Sequence, residues 1–243
     1  IVAIGQLLHA LQSGEHDPHR TALLLSQTCG PCRASNYPAL LRKALLECGF
    51  ASVPVLTMST SGVDSHPGFS PSRAMLHKMV LGMLAGDMLQ RLSLHTQTYE
   101  RRAGDTAERV EHWLRTLTPI VRHGDDLAFR RSMERLVRDF EQIGCDVDHR
   151  PRVAVVGEIL LTYHPDANRH IVDIIRQEGG EPLLPDITNF MLYCLRDSIY
   201  DWQRQGGSVL GALGSTLAIK KVENLRKSMR QALARSSLAD RVM

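Results

Sequence analysis

Short apolar runs that alternate with helical patterns constrain the fold of this chain more than any other feature. The first such stretch begins with TALLLS at 21–26, continues with a helical pattern over 39–46, and closes with VPVLTM at 53–58. Apolar runs of this length on either side of a helix are typical of two parallel strands joined by a crossover. This stretch therefore predicts a parallel βαβ unit.

A second stretch of the same kind lies further along the chain. The continuous apolar run VAVVGEIL at 153–160 is typical of a buried parallel strand. It is followed by a loop at 163–166, a helix over 167–178, a Gly179-Gly180 stop and a strand at 182–184. We therefore expect an α/β fold with two parallel βαβ lobes, Rossmann-like or flavodoxin-like, and a helical insertion between them.

The segment between these stretches has helical periodicity. Ser70-Pro71 and Asp125-Asp126 are typical helix starts, because Pro suits the first turn of a helix and Asp caps its exposed amides. We expect long helices over 72–94, 105–117, 125–143, 187–202 and 209–233. The pattern predicts a first βαβ lobe, a helical insertion and a second βαβ lobe with C-terminal helices, at residues 1–69, 70–150 and 151–243.

The motif Cys29-Gly30-Pro31-Cys32-Arg33 lies between the first apolar run and its helix. Amides at a helix start lack partners within the helix and favour anions, and a thiolate is an anion. Two thiols three positions apart can share a metal ion or close to a disulfide, so we expect both sulfurs at the helix start, close together. A chance pair of packing cysteines is the alternative. Each of the others, Cys48, Cys145 and Cys194, is most simply a small core residue.

Glu158 interrupts the second apolar run near its carboxyl end. Open α/β sheets bind ligands at the carboxyl ends of their parallel strands. A carboxylate there either contacts a ligand or accepts amides of the following helix, and both roles stay open. We expect the Cys29–Arg33 turn and Glu158 to open onto one cleft, with Cys194 reaching in, because both motifs follow strand ends.

Several motifs are absent from the sequence. There is no GxxxxGK(S/T) phosphate loop and no GxGxxG after a strand, so we expect no ATP site in this segment. HExxH, GxSxG and a second CxxC are also missing, which disfavours zinc peptidases, serine hydrolases and structural zinc sites.

Composition excludes further classes of function. The net charge is only +3, with basic and acidic residues mixed, which disfavours a nucleic-acid partner. No apolar stretch reaches membrane-spanning length, so no membrane partner is expected. Five cysteines in a chain with no visible signal peptide point to a reducing cytoplasm.

A resemblance to a known family rests on several separated segments. SQTCGPCRASNYPALLRKAL at 26–45 resembles the "TQT-GGGCRASNY…LRKAL" segment of the large activase-related proteins of the 2-hydroxyacyl-CoA dehydratase superfamily. The similarity continues with VPVL, with GDML at 86–89 and with Tyr99-Glu100. It ends with RVAVVGEILLTYHPDANRHIVDII from 152 and LPDITNFMLYC at 184–194.

This resemblance implies an oxygen-sensitive iron–sulfur protein, with a cluster of the 4Fe–4S kind. It implies ATP-coupled one-electron transfer toward an acyl-CoA-like substrate, as in a dehydratase-related lyase or reductase component. Cys32 matches the ligand position, Cys29 stands where the family pattern often has Gly, and Cys194 in "LYC" is a third candidate ligand. Arg33 and Glu158 are candidate cofactor-binding residues.

The resemblance also implies partners. ATPase activator modules belong to the same or a companion chain, and a homodimer stays open. The chain opens at Ile1 directly in a helical pattern, so we expect a segment of a longer protein.

Thioredoxin offers an alternative, since its active site is also Cys-Gly-Pro-Cys between a strand and a helix. Here Thr28 replaces the usual Trp, and Val53-Pro54 comes too early for the family's cis-proline. In this alternative the chain is a thiol–disulfide oxidoreductase with Cys29 as nucleophile and Cys32 as resolving thiol. A third interpretation is a non-catalytic interaction module whose cysteines are spectators.

Overall fold

The computed structural model describes residues 2–27, 33–59, 71–146 and 149–239. The chain divides into two units, Ile1–Pro71 and Ser72–Met243. The fold is mixed α/β and mostly helical, and the described residues contain four strands in two parallel pairs. The α/β class is thereby confirmed, whereas each pair is too small to make a complete Rossmann-like lobe.

The first unit contains the predicted strand, helix and strand. Its elements are helix α1 (Val2–Gln12), strand β1 (Leu23–Gln27), helix α2 (Tyr37–Glu47) and strand β2 (Val55–Ser59). The strands pair in parallel over five residues, from Leu23 opposite Val55 onward. The first βαβ pattern is therefore confirmed.

A small apolar core holds this first unit together. Leu41 and Leu45, one turn apart on α2, are buried with Leu11 of α1 and Leu23 of β1. Cys48, which follows α2, is exposed, so the expectation that it is a core residue is wrong. Because this sheet has two strands among the described residues, it covers a narrow part of α2, and Cys48 lies beyond the C-terminal end of that helix.

The second unit is built mainly from long helices. Its elements are α3 (Arg73–Tyr99), α4 (Asp105–His123), α5 (Asp126–Phe140), β3 (Arg152–Ala154), α6 (Ile159–Tyr163), α7 (Pro165–Asn168), α8 (Ile171–Gln177), β4 (Glu181–Leu183), α9 (Ile187–Gln205) and α10 (Val209–Ala234). Residues 70–150 and 151–243, expected as separate parts, lie almost wholly within this one unit.

Local capping explains where these helices begin and end. The Ser72 hydroxyl accepts the Met75 amide at the start of α3, and the Asp125 carboxylate accepts the amides of Leu127 and Ala128 at the start of α5. α4 ends at Gly124, whose φ of 77° is a left-handed conformation that glycine adopts without strain. The long helices were predictable because these signals are local.

The main core lies between α3, α4, α5 and α10. Leu84 and Leu92 of α3 and Phe129 and Phe140 of α5 are fully buried there, and Leu225 of α10 packs against them. Met88 of α3 and Met133 of α5 also belong to this core, whereas Met79 of α3 is 38% exposed. No helix among the described residues is both long enough and apolar enough to cross a membrane.

The predicted strand at 153–160 is wrong beyond Ala154. β3 has three residues and pairs in parallel with β4, with Val153 opposite Pro182. The backbone then turns at Gly157, where φ is 146°, and Glu158 starts α6. The strand is also exposed rather than buried, with Val156 beyond it 78% exposed. A buried central strand needs a neighbouring strand on each side, and β3 pairs with β4 alone among the described residues. The apolar character of residues 153–160 therefore did not suffice to predict a buried strand.

The predicted single helix over 167–178 is also wrong. Arg169 and His170 have left-handed φ values of 57° and 56°, which separate α7 from α8. The predicted stop is confirmed, since Gly179 has φ 83° and a Cβ on Gly180 would come within 2.9 Å of Ile175 Cγ2. The expected loop at 163–166 is replaced by the end of α6 and the start of α7.

Candidate functional site

The Cys-Gly-Pro-Cys motif falls within residues 28–32, which lie outside the described residues. β1 ends at Gln27 immediately before it, and a short 3-10 helix, Arg33–Ser35, follows it and leads into α2. The motif therefore joins the carboxyl end of a parallel strand to a helical segment in sequence. The placement of the Cys29 and Cys32 sulfurs, the Arg33 side chain and a cleft shared with Glu158 stay predictions.

The side chain of Gln27 closes the base of this loop. Its Nε2 donates to the Ser35 carbonyl oxygen at 3.1 Å, which links positions eight residues apart. Gln27 is only 6% exposed, and its Oε1 has no hydrogen-bond partner among the residues that the structure describes. Since buried acceptors in folded proteins are almost always paired, this atom marks a polar site that the described part of the chain does not satisfy.

Glu158 is the N-cap residue of α6. Its Oε2 accepts the Leu161 amide at 3.3 Å, and its carbonyl oxygen accepts the Thr162 amide. The capping role, one of the two that the sequence left open, is therefore the one its contacts fit. The ligand role for Glu158 stays a prediction.

The remaining cysteines lie on different elements. Cys194 is half-buried on α9, and Cys145 is half-buried after α5. Within the described ranges, no three His, Cys, Asp or Glu side chains converge as metal ligands. A role for Cys194 as a third ligand stays a prediction.

A polar stripe on α3, buried except for the half-buried Arg91, is a feature that sequence analysis missed. Asp87, Arg91, His95 and Tyr99 follow one another at intervals of four, so they share one slowly turning face of the helix. The sequence analysis treated polar residues of this segment only as interruptions of an apolar stretch. Their regular spacing was the available signal, but their partners lie far away in sequence.

Glu181 of β4 receives one end of this stripe. Its carboxylate lies 2.8 Å from His95 Nδ1, 3.1 Å from the Tyr99 hydroxyl and 3.2 Å from Arg152 Nε. The side chains of Glu181 and His95 are 2% and 3% exposed. When the Glu181 carboxylate is ionised it only accepts hydrogen bonds, and Nδ1 of His95 then carries the proton in this contact.

Asp186, just before α9, contacts Arg91 of the stripe. Arg91 donates from Nε to Oδ1 at 3.3 Å and from Nη2 to Oδ2 at 2.8 Å, a two-point contact. Arg226 of α10 donates to the same Oδ2 at 3.3 Å, and it is nearly buried. Asp186 therefore joins α3 and α10 at the start of α9.

Asp87 caps α9 from a distance of a hundred residues. Its two carboxylate oxygens accept the amides of Ile187 and Thr188, each at 2.9 Å. Asp186, at the N-cap position of α9, makes no side-chain cap bond of its own. Asp186 therefore binds arginines instead of capping its own helix, and Asp87 of α3 accepts the amides at the start of α9.

Burial dominates the titration of this region. It raises the pKa of Asp87 above the ordinary 3.8, although the backbone amides of Thr188 and Ile187 act in the opposite direction. Burial, with the nearby charges of Asp87 and Asp186, also raises the pKa of Tyr163 to about 12. Tyr163 therefore stays protonated and donates its hydroxyl to the Pro185 carbonyl oxygen.

The raised pKa of Asp87 predicts a pH dependence of stability. Because the folded state holds the proton more tightly, the contribution of Asp87 is full below the unfolded pKa and is lost as pH rises through the folded pKa. Asparagine does not titrate, so the stability of the unchanged protein relative to Asp87→Asn is expected to increase from neutral pH toward 3.8. Urea unfolding at several pH values measures this difference. Asp197→Asn, at an exposed position on α9, serves as control, and a difference that shrinks on acidification would contradict the assignment.

The polar stripe is suited to holding elements together rather than to reacting with a ligand. Asp87 of the stripe and its partners Glu181 and Asp186 contact amides, the His95 ring and arginines at hydrogen-bond distance. His95 and Tyr99 are almost wholly buried. A substrate would have no access to either ring. The stripe fixes β4, α9 and α10 on α3, and it supplies no exposed acid, base or nucleophile.

Segments that carry the family resemblance meet within this stripe. Asp87 of the GDML segment contacts Ile187 and Thr188 of the LPDITNF segment, and Tyr99 contacts Glu181 just before it.

Comparisons of the chain with sequence models of protein families, with curated proteins and with solved structures found no match.

Proposed function

We propose that this chain is part of an iron–sulfur protein of the acyl-CoA dehydratase and activase type, with Cys32 and Cys29 as thiolate ligands. The observation that supports this most is the position of their loop, between the carboxyl end of β1 and the 3-10 helix that precedes α2. In open α/β sheets, ligands bind beyond the carboxyl ends of parallel strands. The Gln27–Ser35 hydrogen bond holds the two ends of the loop together.

The residues present fit a cluster in their chemistry. Thiolates are the soft ligands that iron–sulfur clusters use, and two of them stand in one short loop. Gln27 comes immediately before the loop in sequence, and its buried Oε1 has no hydrogen-bond partner among the described residues, which supports a polar environment at the carboxyl end of β1. Arg33 would offset negative charge, and Cys194 and Glu158 are the further candidate contacts.

A bound 4Fe–4S cluster would supply one-electron transfer toward an acyl-CoA-like substrate. This chain would hold that group and control its exposure to water, while ATPase activator modules of the same or a companion chain would supply electrons. Thiolate ligands of this kind fit a reducing cytoplasm. No step of ATP hydrolysis is assigned to this chain, because the sequence has no phosphate loop.

Cysteine variants purified without oxygen test this proposal. We expect brown protein with broad visible absorbance, and we expect Cys32→Ser to reduce that absorbance at least tenfold. Cys29→Ser should reduce it as well if both thiols are ligands. Cys48→Ser is the matched control, because Cys48 lies in the same unit but is exposed after α2.

Two other outcomes would each overturn the proposal. A colourless protein whose Cys29 and Cys32 interconvert between dithiol and disulfide in a redox titration would be a thiol–disulfide oxidoreductase, as the Cys-Gly-Pro-Cys spacing also allows. A colourless protein with no redox-active pair would be an interaction module.

A further inference from the structure

A cleft of about 780 Å³ lies between α4 and α5 in the second unit. Arg109, His112 and Trp113 line it from α4, and Arg135 and Arg138 line it from α5. Its volume is in the range of about 300–1,000 Å³ that small-molecule sites occupy. None of the residues predicted from sequence to bind a cofactor lines this cleft.

The floor of the cleft is fixed by Asp139. Its Oδ1 accepts Arg109 Nη1 and its Oδ2 accepts Trp113 Nε1, each at 2.7 Å. Trp113 is 5% exposed, so its indole is held beneath the cleft by packing as well as by this hydrogen bond. Both oxygens of Asp139 are therefore occupied by the protein.

The carboxylates at the rim are also engaged. Arg102 forms ion pairs with Asp105 and with Glu108. These two acids and Asp139 are the carboxylates that line the cleft. Arg102 and Arg109 thus pair with all three carboxylates of the lining, and the four arginines that line the cleft exceed those carboxylates by one positive charge.

Arg135 and Arg138 are not paired with a carboxylate of the described residues. Neither makes a hydrogen bond or ion pair with any residue of the described ranges, and both are exposed. They are three positions apart on α5, which puts their side chains on neighbouring points of one helix face, about 5–6 Å apart at Cβ. Two guanidinium groups therefore remain available to a ligand in the cleft.

We propose that this cleft binds an anion that carries a diphosphate group, with Arg135 and Arg138 as its paired donors. A guanidinium donates two parallel hydrogen bonds to one phosphoryl group, and two such groups side by side match the two phosphoryl groups of a diphosphate. The remaining volume, beside His112, admits an organic substituent. This site is independent of the iron–sulfur proposal.

The indole of Trp113 provides a direct readout. The chain has two tryptophans, and Trp202→Phe removes the other one, which is 40% exposed on α9. In that background, inorganic pyrophosphate at moderate salt is expected to change Trp113 emission along a saturable curve. Calorimetric titration of the same samples keeps binding measurable if the emission does not respond. Uridine diphosphate is the second probe. If the cleft takes an organic diphosphate ester, uridine diphosphate binds more tightly than pyrophosphate. If the cleft takes free diphosphate, the two bind equally well.

The variant Arg135→Gln with Arg138→Gln is expected to weaken pyrophosphate binding at least tenfold. Lys220→Gln with Lys221→Gln is the matched control, because it removes the same charge from exposed positions on α10 and should leave binding unchanged. Circular dichroism verifies that both variants are folded. The proposal is overturned if pyrophosphate shows no saturable binding, if the arginine variant binds as well as the parent, or if the lysine variant weakens binding equally.

Discussion

Glu181→Ala is expected to lower the free energy of unfolding by about 3–5 kcal/mol, the cost of removing one partner from a buried charged contact. The substitution leaves His95 and Tyr99 without their shared acceptor in a site that water does not reach. It also removes the carboxylate that pairs with Arg152. Urea unfolding followed by tryptophan emission measures the effect in the right part of the chain, because both tryptophans lie in the second unit.

Two further variants separate charge from shape at this position. Glu181→Gln keeps the volume of the side chain and one acceptor oxygen. Its free energy of unfolding should therefore lie between that of the parent and that of Glu181→Ala. Glu178→Ala, at an exposed position after α8, should stay within about 0.5 kcal/mol of the parent. A loss below about 1 kcal/mol for Glu181→Ala would mean that the buried contacts do not hold β4 to α3.

Asp186→Ala is expected to cost about 3 kcal/mol, because Arg226 would keep a nearly buried charge with Glu223 as its remaining ion-pair partner among the described residues. The same substitution removes the two-point contact of Arg91. Equilibrium urea unfolding again measures the change. Asp197→Ala, at an exposed position on α9, is the matched control and should have almost no effect.

A double-mutant cycle tests whether the buried charge is the reason for this cost. Arg226→Met removes the charge and keeps an apolar side chain, so it should recover part of the loss caused by Asp186→Ala. The two losses are therefore expected to be less than additive in the double variant. Full additivity would mean that Asp186 and Arg226 contribute independently.

Local signals predicted much of the secondary structure. TALLLS and VPVLTM became a parallel pair because a single helix separates them, and Ser72 and Asp125 marked helix starts through their own side chains. The strand predicted over the second apolar run, residues 153–160, is wrong beyond Ala154 because the run contains Gly157 and Glu158. These two residues end the strand and begin α6, which a hydrophobic pattern does not register.

The polar stripe on α3 could be predicted only in part. The interval of four from Asp87 to Tyr99 was visible in the sequence, but His95 and Glu181 are separated by 86 positions and Asp87 and Ile187 by 100. Such pairings depend on how helices and strands pack, and no local pattern encodes them. The exchange of capping roles between Asp87 and Asp186 is hidden for the same reason, since Asp186 alone would be read as an ordinary N-cap.

The iron and acid-labile sulfide content of protein made and purified without oxygen tests the proposed function most directly. We predict iron and sulfide in equal amounts in the unchanged chain, and in Cys48→Ser, whose thiol is exposed. Both should fall to background in Cys29→Ser with Cys32→Ser. Iron and sulfide at background in the unchanged chain, or equal amounts retained by the double serine variant, would contradict the assignment of a cluster to this loop.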